Sequence, residues 1–212
     1  MAQGKFISIE GTEGAGKSTA LEFIKKYLIK ENIDVVWTRE PGGTEVAEEI
    51  RRLVLHPMSF EEVEAETELL LMFAARAQHV KKNILPALKA GKWVATDRFI
   101  DASYAYQGGG RNIDMNYISM LDKWIVGPHY PDLTLLLDIA PEVGFERAEK
   151  RGTEKDRIEQ EKMDFFMRVR YVYLQRAKQD PQRIKMIDAS VPIYAVENQI
   201  KEVLHAFIEK TK

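Results

Sequence analysis

Residues Phe6 to Ser18 read F-I-S-I-E-G-T-E-G-A-G-K-S, an apolar run followed at once by G-x-x-x-x-G-K-S, and helical spacing begins near Lys17. Strand, glycine turn and helix together are the setting in which this pattern forms a phosphate-binding loop. Its glycines let successive backbone N–H groups converge on one point without Cβ obstruction, and the positive end of the following helix adds to the same anion site. A polyphosphate fits there, with Lys17 reaching the β- and γ-phosphates and the Ser18 hydroxyl ligating Mg²⁺.

Composition narrows the rest. The 212 residues are 45% apolar, enough for one substantial core, so a single domain over 1–212 is expected. The formal net charge of -2 argues against a nucleic-acid-binding surface. There is no cysteine, which excludes disulfides and thiolate metal sites. Acidic Glu10 and the glycine turn interrupt the N-terminal apolar run, and no long apolar stretch follows, so a soluble, cytoplasmic chain without a membrane partner is expected.

Outward from the loop, Lys17 to Glu31 has Leu21, Ile24 and Leu28 on one helical face, and Val35 to Thr38 makes a second strand before the loop Arg39 to Thr44, R-E-P-G-G-T. Helices are expected over Glu45 to Leu55 and Glu64 to Lys89, the second with Pro86 bending or ending it. Trp93 to Thr96 is the next strand and delivers Asp97-Arg98. A helix over Asp114 to Val126 and a strand over Leu133 to Leu137, ending at Asp138, come next. Pro141 to Lys150 is helical, Arg151 to Glu161 is dense in charge, Lys162 to Gln179 is helical, Ile184 to Ile187 is a fifth strand, and Val196 to Lys210 closes the chain as a helix. This alternation predicts an α/β fold, a doubly wound five-stranded parallel sheet with helices on both faces.

In such a sheet the loops at the carboxyl ends of strands line the ligand crevice. Arg39 and Arg98 each follow a strand, and Arg147, Arg151 and Arg157 lie in or beside the charged insertion. That insertion reads as a lid that folds over the nucleotide and brings cations to a phosphoryl group in flight. Asp97 is placed to hold Mg²⁺; its alternative is to cap a helix or pair with Arg98. Glu13, a carboxylate beside bound phosphates, suits a sugar hydroxyl, or else is a solvated loop residue. Phe73 and Arg76, three apart on one helix, could stack on a base and bond its carbonyl, although the spacing of Phe73 also suits the core. Each arginine has the ordinary alternative of a solvated surface position. A nucleotide-dependent switch is the rival class, and the number of cations favours a kinase.

G-T-E-G-A-G-K-S, T-R-E-P-G-G-T (38–44), F-A-A-R (73–76), D-R-F (97–99), A-Y-Q-G-G-G-R (105–111), P-D-L-T-L-L-L-D (131–138) and R-G-T-E-K-D-R-I-E (151–159) together resemble bacterial thymidylate kinase. The resemblance implies a P-loop nucleoside-monophosphate kinase with an arginine-rich lid at about 147–161. It implies transfer of the γ-phosphoryl group of ATP to dTMP, giving dTDP with Mg²⁺ in dTTP biosynthesis, by a homodimer. ATP would lie on Gly11, Thr12, Glu13, Gly14, Ala15, Gly16, Lys17, Ser18 and Thr19, bordered by Arg147, Arg151 and Ser190. Lys17, Arg98 and Arg151 would be catalytic, and Ser18 and Asp97 would hold the metal. On the acceptor side Phe73 would stack on thymine, Arg76 would bond its carbonyl, and Ser103 and Gln107 would lie near the base. Tyr106 would sit near the sugar, Glu13 would face the 3′-hydroxyl, and Arg39 and Arg98 would hold the monophosphate. Eukaryotic-type members carry an arginine where this loop has Gly14, so here the lid must supply that cation, with Arg151 the expected source.

Overall fold

The computed structural model describes residues 4–56, 61–152 and 156–211. Its centre is the strand that precedes the glycine loop. β1 (Phe6–Gly11) lies in an all-parallel sheet with β2 (Val35–Arg39), β3 (Trp93–Asp97), β4 (Leu133–Asp138) and β5 (Ile184–Asp188), in the order β2-β3-β1-β4-β5. The helices are α1 (Lys17–Lys30), α2 (Glu45–Leu55), α3 (Ala65–His79), α4 (Leu85–Lys89), α5 (Ile100–Ser103), α6 (Met115–Ile125), α7 (Pro141–Arg151), α8 (Met163–Gln179) and α9 (Ile193–Glu209).

The inner strands are buried on both faces, as parallel strands between helical layers are. Ile7, Ile9, Leu133, Leu135 and Leu137 point to one side, where they meet Ala20, Ile24 and Leu28 of α1 and Ile200 and Leu204 of α9. Phe6, Val94 and Leu136 point to the other, against α3, α6 and α8. Two inward polar residues on that second side, Ser8 and Thr134, satisfy each other at 2.7 Å. The connection from β1 leads to β2 and the one from β3 crosses to β4, so the order reverses beside β1 and β3, where a doubly wound sheet opens its crevice. The register sets Ile9 opposite Asp97, which brings the glycine loop and the Asp97-Arg98 pair to the same edge.

Two regions differ from the sequence reading. Pro86 does not end its helix. α3 widens into π-type turns at Val80–Ile84, and Pro86 then occupies the first turn of α4, where its missing N–H costs nothing. The second region is α5 and the wide turns that continue it through Tyr104–Gly110, a helical segment that was not expected. A triple glycine disfavours helix, but here α8 packs directly onto it: a Cβ at Gly110 would fall 2.4 Å from the Phe165 ring and one at Gly109 2.8 Å from the Arg168 carbonyl oxygen. Arg168 then donates to the carbonyls of Gly109 and Gly110, so tertiary contact overrides propensity.

Candidate active site

The donor side is made of backbone. Gly14 and Gly16 have φ of 71° and 86°, the left-handed region that the loop needs, and α1 begins at Lys17. A Cβ at Gly14 would lie 2.0 Å from the carbonyl oxygen of Gly144, and a Cβ at Gly144 would lie 2.5 Å from that of Glu13. Loop and α7 therefore touch backbone to backbone, and no side chain fits at position 14. Lys17 donates to the carbonyls of Gly11 and Thr12 at 3.0 Å each. Burial, and then the neighbouring Arg98, lower its pKa to about 8 against the opposing pull of Glu13, Asp97 and Glu10. Ser18 and Thr19 are exposed at the mouth of the loop. Behind the loop a cleft of about 380 Å³ is lined by Gly14, Thr19, Arg147, Ala189, Val191 and Pro192 among others. Arg147 donates to the Ala189 carbonyl at 2.8 Å and also reaches that of Ser190, which fixes one wall of this cleft.

The acceptor side is made of side chains. Arg98 follows β3 with φ of 62°, a conformation that costs a non-glycine residue about 1–3 kcal/mol. Two bonds hold it: its own N–H to the Ile9 carbonyl at 2.9 Å, and the next N–H, of Phe99, to the Glu10 carboxyl at 2.8 Å. Burial, and then Asp101, push the Glu10 pKa up to about 8. So oriented, the Arg98 guanidinium donates to Glu13 at 2.6 Å and to the Tyr106 hydroxyl at 2.9 Å, while that hydroxyl donates to Glu13 at 2.8 Å. Glu13, Arg98, Tyr106 and Gln107 line one narrow cavity with Glu40, Arg51, Met72, Asp156 and Ile158.

Arg39 stands exposed at the rim, paired with Glu48 at 2.9 Å. Its bond to Glu48, together with the Gly43 N–H, lowers the Glu48 pKa. Arg76 is buried and directs its N–H groups to Glu40 at 2.7 Å, to the Ser103 hydroxyl at 2.9 Å and to the Phe99 carbonyl at 3.0 Å. Its guanidinium lies over the Phe73 ring, 4.8 Å from the centroid. Phe73 is 2% exposed inside the cluster of Phe6, Leu69, Val80 and Ile84, so its core alternative describes the position it holds, and Met72 takes the cavity wall.

The lid also departs in part from expectation. Ile158 is buried among Ala102, Tyr106 and Phe165 and, with Asp156, roofs the cavity, so this part of the insertion supplies core as well as charge. Arg157 turns away from the loop, donating to the Val54 carbonyl and to Glu68. Arg151 ends α7, and its side chain lies outside the described residues, as do residues 153–155.

Among the described residues Asp97 makes no hydrogen bond to Arg98, although its charge raises the Arg98 pKa. Among the described residues its buried Oδ1 has no hydrogen-bond partner, and its charge acts on Lys17. An unused carboxylate oxygen suits Mg²⁺, which takes one or two protein ligands and completes its shell from phosphates and water. Among the described residues there is no cluster of three acidic or imidazole ligands, so no all-protein metal cage is formed.

Arg51 was not singled out from the sequence, yet it lines the cavity and donates to the Pro41 carbonyl at 2.9 Å. Burial, followed by Arg39, lowers its pKa, with Arg98 adding to the effect. A signal was available, because Arg51 falls between Ala47 and Val54 on the buried stripe of α2. Glu68 likewise lies on the inward face of α3, fully buried.

Comparison with known proteins matches this architecture at every scale. The thymidylate kinase family model covers residues 9–200. A thymidylate kinase of Ruthia magnifica is 52% identical over 204 residues, 96% of this chain and 98% of that one, and a thymidylate kinase of Pseudomonas entomophila is 51% identical over 209 residues, 99% of each. The crystal structure of thymidylate kinase from Ehrlichia chaffeensis superimposes with a TM-score of 0.77 at 33% identity, covering 96% of this chain and 99% of that one. With the family model spanning residues 9–200 and relatives about half identical over nearly the whole chain, this chain belongs to the thymidylate kinase family.

Proposed function

We infer that the crevice transfers the γ-phosphoryl group of ATP to dTMP, giving dTDP, by gathering cations around two facing phosphates rather than by covalent catalysis. The observation that carries this reading is the gathering of Lys17, Arg51 and Arg98 close enough to act on one another, with Arg51 and Arg98 lining the same cavity. Lys17 is depressed by burial and Arg98, Arg51 is depressed by burial and Arg39, and all face one crevice. Such a site is relieved by the charge that builds on a phosphoryl group in transfer. The donor phosphates lie on the Gly11–Ser18 backbone with Lys17 at the transferring group, and adenine enters the cleft beside Arg147 and Ser190. Mg²⁺ held by Ser18 and Asp97 would neutralise charge on the donor oxygens. The acceptor phosphate takes Arg98, Arg51 and Arg39, with Glu13 and Tyr106 at the deoxyribose and Arg76, Ser103 and Gln107 toward thymine. Phe73 backs the Arg76 plane from the core side. Arg151, seven residues beyond Gly144 and so on the same helical face, completes the charge from the lid.

Support for a homodimer comes from Tyr117, Met120 and Trp124. They are exposed along one face of α6, Trp124 at 79%, beside exposed Leu70 on α3. Among the described residues no helix is long and apolar enough to cross a membrane.

The test is ADP release from ATP with dTMP, dUMP, dCMP, dGMP or dAMP as acceptor. dTMP is expected to exceed dCMP and both purine nucleotides by at least about tenfold in kcat/KM. Release that ignores the added monophosphate would sink the acceptor assignment.

A further inference from the structure

Gln107 lines the cavity, and its two polar ends have different fates. Its Nε2 donates to Oε1 of Glu68 at 2.8 Å, and its Oε1 is buried without a hydrogen-bond partner among the described residues. Gln107 has no exposed surface, so water does not satisfy that oxygen. An amide can be turned end for end at little cost unless a neighbour distinguishes its oxygen from its nitrogen. Glu68 makes that distinction. It is fully buried and accepts from Arg111 and Arg157 as well as from Gln107. Burial alone would raise its pKa, but Arg111, the Gln107 amide and Arg157 outweigh burial and hold it below the usual carboxylate range. An ionised carboxylate offers no proton, and turning Gln107 over would set two oxygens against each other.

We propose that Glu68 is a positioning residue for base choice: by fixing the Gln107 amide with its carbonyl toward the acceptor cavity, it commits the pocket to a pyrimidine that presents a ring N–H. Thymine and uracil carry a hydrogen on N3 and satisfy the oxygen. Cytosine carries a lone pair there and leaves two acceptors facing each other in a space closed to water, the kind of mismatch that a site built for a donor rejects strongly. The inference rests on reading this cavity as the acceptor site. It gives a share of the discrimination between thymine and cytosine, beside that of Arg76, to a residue that does not line the cavity.

The experiment compares kcat/KM for dTMP and dCMP, at saturating ATP, in the whole enzyme and three variants. In Glu68→Gln the new amide can donate to a turned Gln107, so the dTMP/dCMP ratio is expected to fall by about tenfold or more, with KM for ATP unchanged. An equal loss with both acceptors, leaving the ratio intact, would overturn the proposal. Arg157→Ala removes a partner of Glu68 but keeps the Gln107 bond, and the ratio should hold; a fall as large as that in Glu68→Gln would assign the effect to packing and reject the mechanism. Gln107→Leu deletes the oxygen and does not depend on the Glu68 variant folding. It should lower dTMP activity by about tenfold and, by removing the facing acceptor, raise dCMP activity. No change with either acceptor would remove the cavity reading itself, whereas a loss on dTMP combined with an unaltered ratio in Glu68→Gln would reject only the role of Glu68.

Discussion

The two halves of the crevice are built from different material. The donor half is a continuous loop whose backbone forms the site, beside a cleft of about 380 Å³. The acceptor half draws side chains from the glycine loop, α2, α3, the end of β3, the helical segment after it and the lid around a cavity of about 60 Å³, well below the ordinary size of a ligand pocket. Its arginines already hold carboxylates: Arg39 with Glu48, Arg76 with Glu40, Arg98 with Glu13, Arg157 with Glu68. A backbone site is ready when the chain has folded. In a side-chain site the arginines are held by internal carboxylates, with Asp156 and Ile158 among the residues that line the cavity.

Substitutions should therefore separate the halves. Lys17→Ala attacks the donor side and should lower kcat/KM for ATP by about 10³ or more, with loss of both affinity and turnover. Titration of ATP binding checks the first part, and unchanged affinity would break the reading of the loop. Arg98→Ala keeps a Cβ, and hence the backbone cost at φ of 62°, while removing the acceptor cation. It should lower kcat/KM for dTMP by about 10² and leave KM for ATP within about twofold. Equal losses on both substrates in steady-state kinetics would show that the two halves are not separable.

The smallest effect is a pH dependence. Free Lys17 loses its proton near pH 8, below the usual lysine range, and ATP prefers the charged form. Above that pH, kcat/KM for ATP should fall by about tenfold per unit, because this ratio reports the free enzyme. Bound phosphates raise the Lys17 pKa, so kcat should hold to higher pH. A kcat/KM profile flat to about pH 10 would mean that Lys17 titrates at its ordinary position.

The division between the halves also explains what could be read from residues alone. The strand-loop-helix of the donor site is contiguous, so spacing revealed it, and short apolar runs marked the five strands. The acceptor site is a product of topology. Arg51 and Glu68 find their separate partners only after α2, α3 and the lid pack together, although charges on the buried stripes of two helices were the visible trace. Phe73 shows the reverse limit, since its spacing suits a core position and a binding position equally. The helix through Gly108, Gly109 and Gly110 was hidden because its cause, the close approach of α8, lies more than fifty residues away.

The contact between Gly14 and Gly144 has a consequence for how such enzymes can be remodelled. An arginine grafted into the phosphate loop would have to evict the first turn of α7, and with it the helix that carries the lid's own guanidinium groups. Within this scaffold a side chain at position 14 and the present course of α7 exclude each other, so installing one requires rebuilding both segments at once.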